Sequence, residues 1–205
     1  MPHNIVFDFG GVIVQYDFKA FFAHQLGSEE QAQWFMQHVL TPAHNNLLDK
    51  GLQPFGHYID QWCTKWPQYA PVIRALDTHY TDIFTSEMPG ITALMHSLKN
   101  QGHRLLGLSN WSAKVFSVMQ KFPEPFSLLD GSLISHEVHL LKPDPAIYRT
   151  FCQRFGVSPA DCLFIVDKPQ NIEGARQAGM QGIVFTSTQQ LRRDLNLANP
   201  VQSLG

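Results

Sequence analysis

The chain has 205 residues and a formal net charge of −2, enough length for one good core or for a core that carries a smaller insertion. Its acids and bases are intermixed, which gives no reason to expect nucleic acid as a partner, and no basic-then-apolar start or long apolar run suggests a signal peptide or a bilayer span. The three cysteines, Cys63, Cys152 and Cys162, show no C-x-x-C spacing; this argues against a disulfide framework or a zinc site and fits a reducing compartment, so a soluble cytoplasmic protein is expected.

The first segment, Ile5-Val-Phe-Asp8-Phe-Gly10-Gly11-Val-Ile-Val14, reads as a short apolar β-run delivering one carboxylate into a glycine-rich turn. In an α/β sheet the carboxyl ends of parallel strands form the crevice where ligands bind, which puts Asp8 in that crevice. Gly10 and Gly11 allow the backbone to come nearer to a ligand or metal than a residue with a Cβ would. Taken alone, the segment is equally a strand that ends in a turn.

Residues 16 to 87 change character: aromatic and helix-forming residues dominate. Phe18, Phe21, Phe22 and Gln25 fall at helical spacing with Gly27 as a stop, and Ser28-Glu-Glu-Gln31 has the form of a capping box opening a second helix through Trp34, Phe35, His38 and Val39. Further helical patterns cover Phe55 to Trp66 and Pro71 to Phe84. The expected organisation is therefore a core of residues 1–15 and 88–205 with a helical cap of residues 16–87 inserted into it.

From Pro89-Gly90 onward helix and strand alternate. Helices are expected over Ile91 to Leu98, Ala113 to Gln120, Ala146 to Phe155 and Asn171 to Ala178. Strands are expected over Arg104 to Ser109, Ser132 to Ser135, Leu163 to Asp167 and Gly182 to Phe185. Asp144 before Pro145 is a natural N-cap. The tail from Thr186 has room for a small helix and then frays. Such repeated strand–helix units imply right-handed crossovers and a parallel sheet covered on both faces.

Four of these strand ends and loops carry polar groups: Asp8, Ser109-Asn110, Lys142 and Asp167. Together they form a coherent set for phosphoryl transfer, with a nucleophilic carboxylate, a hydroxyl with backbone N–H groups, a fixed ammonium and a second carboxylate. Repulsion between Asp8 and a phosphate dianion must be offset, which Lys142 and a divalent cation can do. Magnesium takes hard oxygen ligands, and Asp8, the Gly10 carbonyl and Asp167 are the candidate protein share of its shell.

These segments, in their order and spacing, resemble the four motifs of the haloacid dehalogenase-like hydrolase superfamily. Phe7-Asp8-Phe-Gly-Gly-Val12 resembles the first motif, Leu108-Ser109-Asn110 the second, Lys142-Pro143-Asp144-Pro145-Ala-Ile-Tyr148 the third, and Phe164-Ile-Val166-Asp167 through Gly179 the fourth. The resemblance implies a Rossmann-like α/β/α core with a helical cap, and it is closest to the subgroup with glycine after the nucleophile, which includes a sugar-1-phosphate phosphatase. Carried over residue by residue, it makes Asp8 the nucleophile, Ser109 and Lys142 the phosphate binders, with Asn110 at the same substrate site helping through its backbone or orienting it, and Asp8, Gly10 and Asp167 the magnesium site. Asn171, one turn later, either orients Asp167 or simply begins a helix; Lys168 reads as a solvated loop lysine.

Two departures from that pattern stand out. Gly10 occupies the position where many members carry a second aspartate that acts as general acid and base, and Val166 replaces the first acid of the fourth motif. Loss of a positioned acid typically costs about 10²- to 10⁴-fold in rate. That favours substrates whose leaving group departs unaided, such as anomeric sugar, aryl or acyl phosphates. His44, His57, His79, Tyr16 and Asp17 are the candidates to supply the missing proton; the histidines form no H-E-x-x-H pair. The reading is a magnesium-dependent phosphatase acting on a small phosphorylated metabolite, with no nucleic-acid or membrane partner. Its rivals are a 2-haloacid dehalogenase and a degenerate, phospho-ligand-binding interaction module.

Overall fold

The computed structural model describes residues 2–197. Strand β1 (Asn4–Phe7) is buried throughout and ends at Asp8. The chain then turns tightly, with the amides of Val12, Ile13 and Val14 all donating to the Phe9 carbonyl, and emerges as β2 (Val14–Tyr16). Helix α1 (Phe18–Leu26) begins with Asp17 accepting from the Ala20 amide and stops at Gly27, where φ is 76°. Helix α2 (Glu29–His38) starts at Ser28, whose hydroxyl accepts from the Gln31 amide as a simple N-cap. Then come α3 (Pro42–Lys50), α4 (Phe55–Lys65) and α5 (Ala70–Thr78).

Two features here depart from the sequence expectation. The helix expected to run to Phe84 ends at Thr78; a short 3₁₀ turn follows, and Phe84–Glu87 forms β3, antiparallel to β2. The β-branched and aromatic run Ile83-Phe84-Thr85 favours a strand once a partner is present, and the helical segment leaves and returns through this one antiparallel pair. Helix α3 lies outside the sequence expectation, although its boundary signals are conventional: Thr41 then Pro42 at its start and Gly51 in the left-handed region at its end, φ 64°.

The remaining elements are α6 (Ile91–Asn100), β4 (Arg104–Ser109), α7 (Val115–Lys121), α8 (Pro123–Ser127), β5 (Ser132–Ile134), α9 (Ser135–Val138), α10 (Pro145–Phe155), β6 (Cys162–Val166), α11 (Pro169–Gln177), β7 (Gln181–Val184) and α12 (Thr188–Asp194). Asp144 accepts from the Ala146 amide and caps α10 as expected. Ser135 opens α9 instead of closing β5, and α11 starts at Pro169, two residues before Asn171, because proline is pre-set for the first helical position. The fraying expected of the tail falls, for residues 198–205, outside the described residues.

Strands β5-β4-β1-β6-β7 form one five-stranded parallel sheet. Alternate residues of β1 feed two cores. Ile5 and Phe7 join the apolar residues of α6, α7 and α12 and of the helical segment, while Val6 joins Ile147, Tyr148 and Phe151 of α10 and Ile172 and Ala175 of α11. Val166 is fully buried in this second core. The result is a three-layer α/β/α Rossmann-like fold with additional helices α1 to α5. No helix among the described residues is long and apolar enough to cross a membrane.

Candidate active site

Parallel strands bring Asp8, Ser109 and Lys142 together at the carboxyl edge of the sheet. The register pairs Phe7 with Gly107 and with Ile165, so the residues just past β1, β4 and β6 meet in one crevice. Asp8 is only 6% exposed. Its Oδ1 accepts from the Phe9 amide at 2.8 Å and from the Ser109 hydroxyl at 2.9 Å, and its Oδ2 lies 2.7 Å from Lys142 Nζ. Lys142 also donates to the Leu108 carbonyl at 2.9 Å. Burial pushes the Lys142 pKa down, against the pull of Asp8. Two charges out of water are tolerated here because each has hydrogen-bond partners besides the other.

Asn110 meets Lys142 through the backbone. Its Nδ2 donates to the Lys142 carbonyl at 3.0 Å and its Oδ1 accepts from the Lys142 amide at 2.8 Å. Both ends of the carboxamide are thus committed to holding the loop that carries the ammonium, which is an orienting role for the side chain.

Asp167 stands beside this group and is half-buried. Its pKa is raised first by desolvation and then by the charge of Asp8, and its Oδ1 is buried without a hydrogen-bond partner. Gly11, at φ 77°, lies directly against it: a Cβ at that position would come within 2.6 Å of Asp167 Oδ2. Gly10 has no such conformational demand, and a Cβ there would meet the Tyr16 ring at 3.2 Å and the Trp111 ring at 3.8 Å. Lys168 is exposed, but it lines the same cavity, and its charge acts on Asp8's neighbours Tyr16, Asp49, Lys142 and Asp167. Asn171 is buried in α11, where its carbonyl accepts from the Tyr148 hydroxyl; among the described residues no hydrogen bond joins its side chain to Asp167.

Above the crevice lies a cavity of about 840 Å³, which reaches from Asp8 and Lys142 into the helical segment. Its walls mix aromatic and apolar residues, among them Phe18, Phe22, Trp62 and Trp111, with polar ones such as Gln33, Gln37, Asn45 and Asn46. Of the five candidate proton donors, only His44 and Tyr16 line it. His44 is wedged between the Trp62 and Trp66 rings and its pKa is lowered, mainly by desolvation. His57 bonds Gln61 on the surface, His79 bonds Thr78, and Asp17 is spent on capping α1. Asp49, which sequence reasoning passed over, is 7% exposed and lines the cavity from α3. No sequence signal marks it: a single acid in a polar stretch looks like any surface residue until the fold buries it.

The donor set suits a hard cation. The unpartnered Asp167 Oδ1, the adjacent Asp8 carboxylate and the Gly10 carbonyl are all oxygen, the ligand type magnesium takes. Among the described residues no three His, Cys, Asp or Glu side chains come together as a ready-made metal centre; phosphate oxygens and water must complete any shell.

A family model described as haloacid dehalogenase-like hydrolase matches residues 5–185. The (S)-2-haloacid dehalogenase 4A of Burkholderia cepacia is 28% identical over 98 residues, 48% of this chain and 42% of its own length. The putative phosphatase YhcW of Bacillus subtilis is 24% identical over 186 residues, 90% of this chain and 83% of its own. Several curated relatives are aligned over 22% to 50% of their own length only. A HAD family enzyme of Bacteroides thetaiotaomicron, solved in complex with magnesium and inorganic phosphate, shares the fold with a TM-score of 0.73 at 18% identity, covering 92% of this chain and 96% of that one.

Proposed function

The chain belongs to the haloacid dehalogenase-like hydrolase family, and on that premise we propose that it is a magnesium-dependent phosphatase which passes the phosphoryl group of a small phosphorylated metabolite to Asp8 and then to water. The observation that carries this reading is the buried Asp8 carboxylate, held by the Phe9 amide and the Ser109 hydroxyl and paired with Lys142 at the floor of the cavity. An oxygen of Asp8 bonds to phosphorus as the ester P–O bond breaks, and the electron pair leaves on the alcohol oxygen. Water then attacks the aspartyl phosphate and releases phosphate, which restores the carboxylate. Lys142 offsets the charge of the transferring group, and Ser109 and the Phe9 amide fix the attacking carboxylate. Asp8, the Gly10 carbonyl and Asp167 are the residues that would hold magnesium, and a cation bound there would supply charge neutralisation of the phosphoryl oxygens.

The reading includes the division of labour expected from the sequence, with residues 1–15 and 88–205 as core and 16–87 as cap. The antiparallel β2–β3 pair, a natural two-stranded hinge, supports it. The aromatic residues in the cavity wall support a substrate whose organic body has an apolar or aromatic face. The name of the Bacillus relative and the magnesium and phosphate in the Bacteroides structure point the same way. The Burkholderia relative and the missing acid at Gly10 favour the dehalogenase alternative, but halide displacement from carbon gives no use to the lone Asp167 oxygen.

The test is a phosphatase screen over aryl, alkyl and sugar phosphates with magnesium titrated, using Asp8→Asn as the blank. Turnover of aromatic esters at least about tenfold above sugar phosphates, abolished by Asp8→Asn and by chelation, is expected. Turnover that survives Asp8→Asn, or chloride released from 2-chloropropionate under chelation, overturns it.

A further inference from the structure

Gly10 leaves the first motif without its usual proton donor, and the cavity contains a carboxyl group with no part in the scheme so far. Asp49 projects from the last turn of α3 into the cavity that holds Asp8 and Lys142. Two hydrogen bonds fix it there. Its Oδ2 accepts from Asn45 Nδ2 at 2.8 Å, and its own carbonyl accepts from the Ser135 hydroxyl. Ser135 in turn accepts from the Trp111 amide. The loop after β4 thus holds Asp49 at one end, from Trp111 by way of Ser135, and the nucleophile at the other, through Ser109.

We propose that Asp49 is the general acid and base of the phosphatase reaction, a cap carboxyl doing what the first motif no longer can. In the first step the ester P–O bond breaks as the Asp8 bond to phosphorus forms, and the leaving alcohol oxygen takes the Asp49 proton. In the second, water gives a proton to the Asp49 carboxylate as its oxygen bonds to phosphorus and the Asp8–P bond breaks, so phosphate leaves and both side chains return to their starting state. The surroundings suit the task. Burial pushes the Asp49 pKa up to about 7, so both forms are populated near neutrality. The groups that face it are Asn45 on its own helix, the Ser112 amide and the charges of Asp8, Lys142 and Lys168 from the core, and the Tyr80 phenol from the turn before β3. This inference rests on the phosphatase reading and removes the need, set by Gly10, for a leaving group that departs unaided.

The test compares two esters with similar aromatic bodies and different leaving groups, benzyl phosphate and nitrophenyl phosphate, in the full chain with magnesium. Asp49→Asn keeps the side-chain shape and an acceptor for Asn45 Nδ2 but has no acidic proton to give. Its kcat/KM for benzyl phosphate is expected to fall about 10²- to 10⁴-fold while that for nitrophenyl phosphate changes less than about tenfold. Its nitrophenyl phosphate reaction is expected to show a burst, with phosphorylated Asp8 accumulating because the second step lacks its base. In the wild-type protein, which needs no variant to fold, benzyl phosphate turnover is expected to decline above about pH 7 where nitrophenyl phosphate turnover does not. Equal losses on both esters, or no loss on either, overturn the role of Asp49 while Asp8-dependent turnover leaves the phosphatase reading standing. A wild-type protein that hydrolyses neither ester overturns both.

Discussion

Gly11 and Asp167 are the pair on which the second carboxylate depends. A non-glycine residue at φ 77° costs about 1–2 kcal/mol, and a Cβ at Gly11 would in addition reach 2.6 Å from Asp167 Oδ2. Gly11→Ala is therefore expected to lower stability by about 2 kcal/mol or more and to weaken magnesium binding by displacing Asp167. Urea unfolding and calorimetric titration with magnesium check both; unchanged affinity would remove Asp167 from the metal site. Gly10, read from the sequence as an equal partner in this approach, has no positive φ and faces Tyr16 instead. Asp8, Ser109, Lys142 and Asp167 were legible as chemistry because each is a polar residue at the end of an apolar strand or in a loop beside one. For Asn110 the sequence left a backbone contact and an orienting role both open, because a carboxamide clamped to the Lys142 backbone gives no signal in composition or spacing that separates them.

At the scale of elements, the seating of α11 decides where Lys142 stands. Gly174 on that helix lies so close to the loop that a Cβ would sit 2.1 Å from the Pro143 carbonyl oxygen. In an open helix, alanine for glycine gains about 1 kcal/mol; here a backbone atom is in the way, and overpacking of that kind costs about 1–3 kcal/mol. Gly174→Ala is expected to be net destabilising and to lower kcat by moving Lys142, its carbonyl contact to Asn110 included. A thermal melt and steady-state kinetics report it, and a stabilised, fully active variant would show that the loop yields freely. Strands β1, β4 and β6 were readable because buried parallel strands are short unbroken apolar runs bounded by turn residues. The β2–β3 pair was not, because each strand is three or four residues long and exists only through pairing across the whole helical segment.

At the scale of the molecule, the helices between β2 and β3 close over the sheet edge and bury Asp49 between the two halves of the chain. An unfolded aspartate titrates near pH 4, whereas the folded pKa of Asp49 is about 7. Between those values the folded protein retains a proton that the unfolded chain has released. The associated stability is present in full below about pH 4 and is lost as pH rises toward about 7, by at most about 1.4 kcal/mol per pH unit. Relative to the wild type, Asp49→Asn should therefore be more stable at pH 8 than at pH 5 by about 2–3 kcal/mol. Parallel urea curves at the two pH values would refute it. Asp167, raised in the same direction, keeps part of the slope in the variant.

The sequence by itself determined the parallel α/β core, the family resemblance and the four polar positions at one sheet edge, because apolar periodicity and strand-end placement are local properties written in runs of a few residues. Only the tertiary structure decided that a partly aromatic cavity lies over Asp8, that His57, His79 and Asp17 face elsewhere, and that Asp49 faces inward. Those outcomes depend on how residues 16–87 dock on the core, and docking is set by packing between segments far apart in the chain, which no local pattern records.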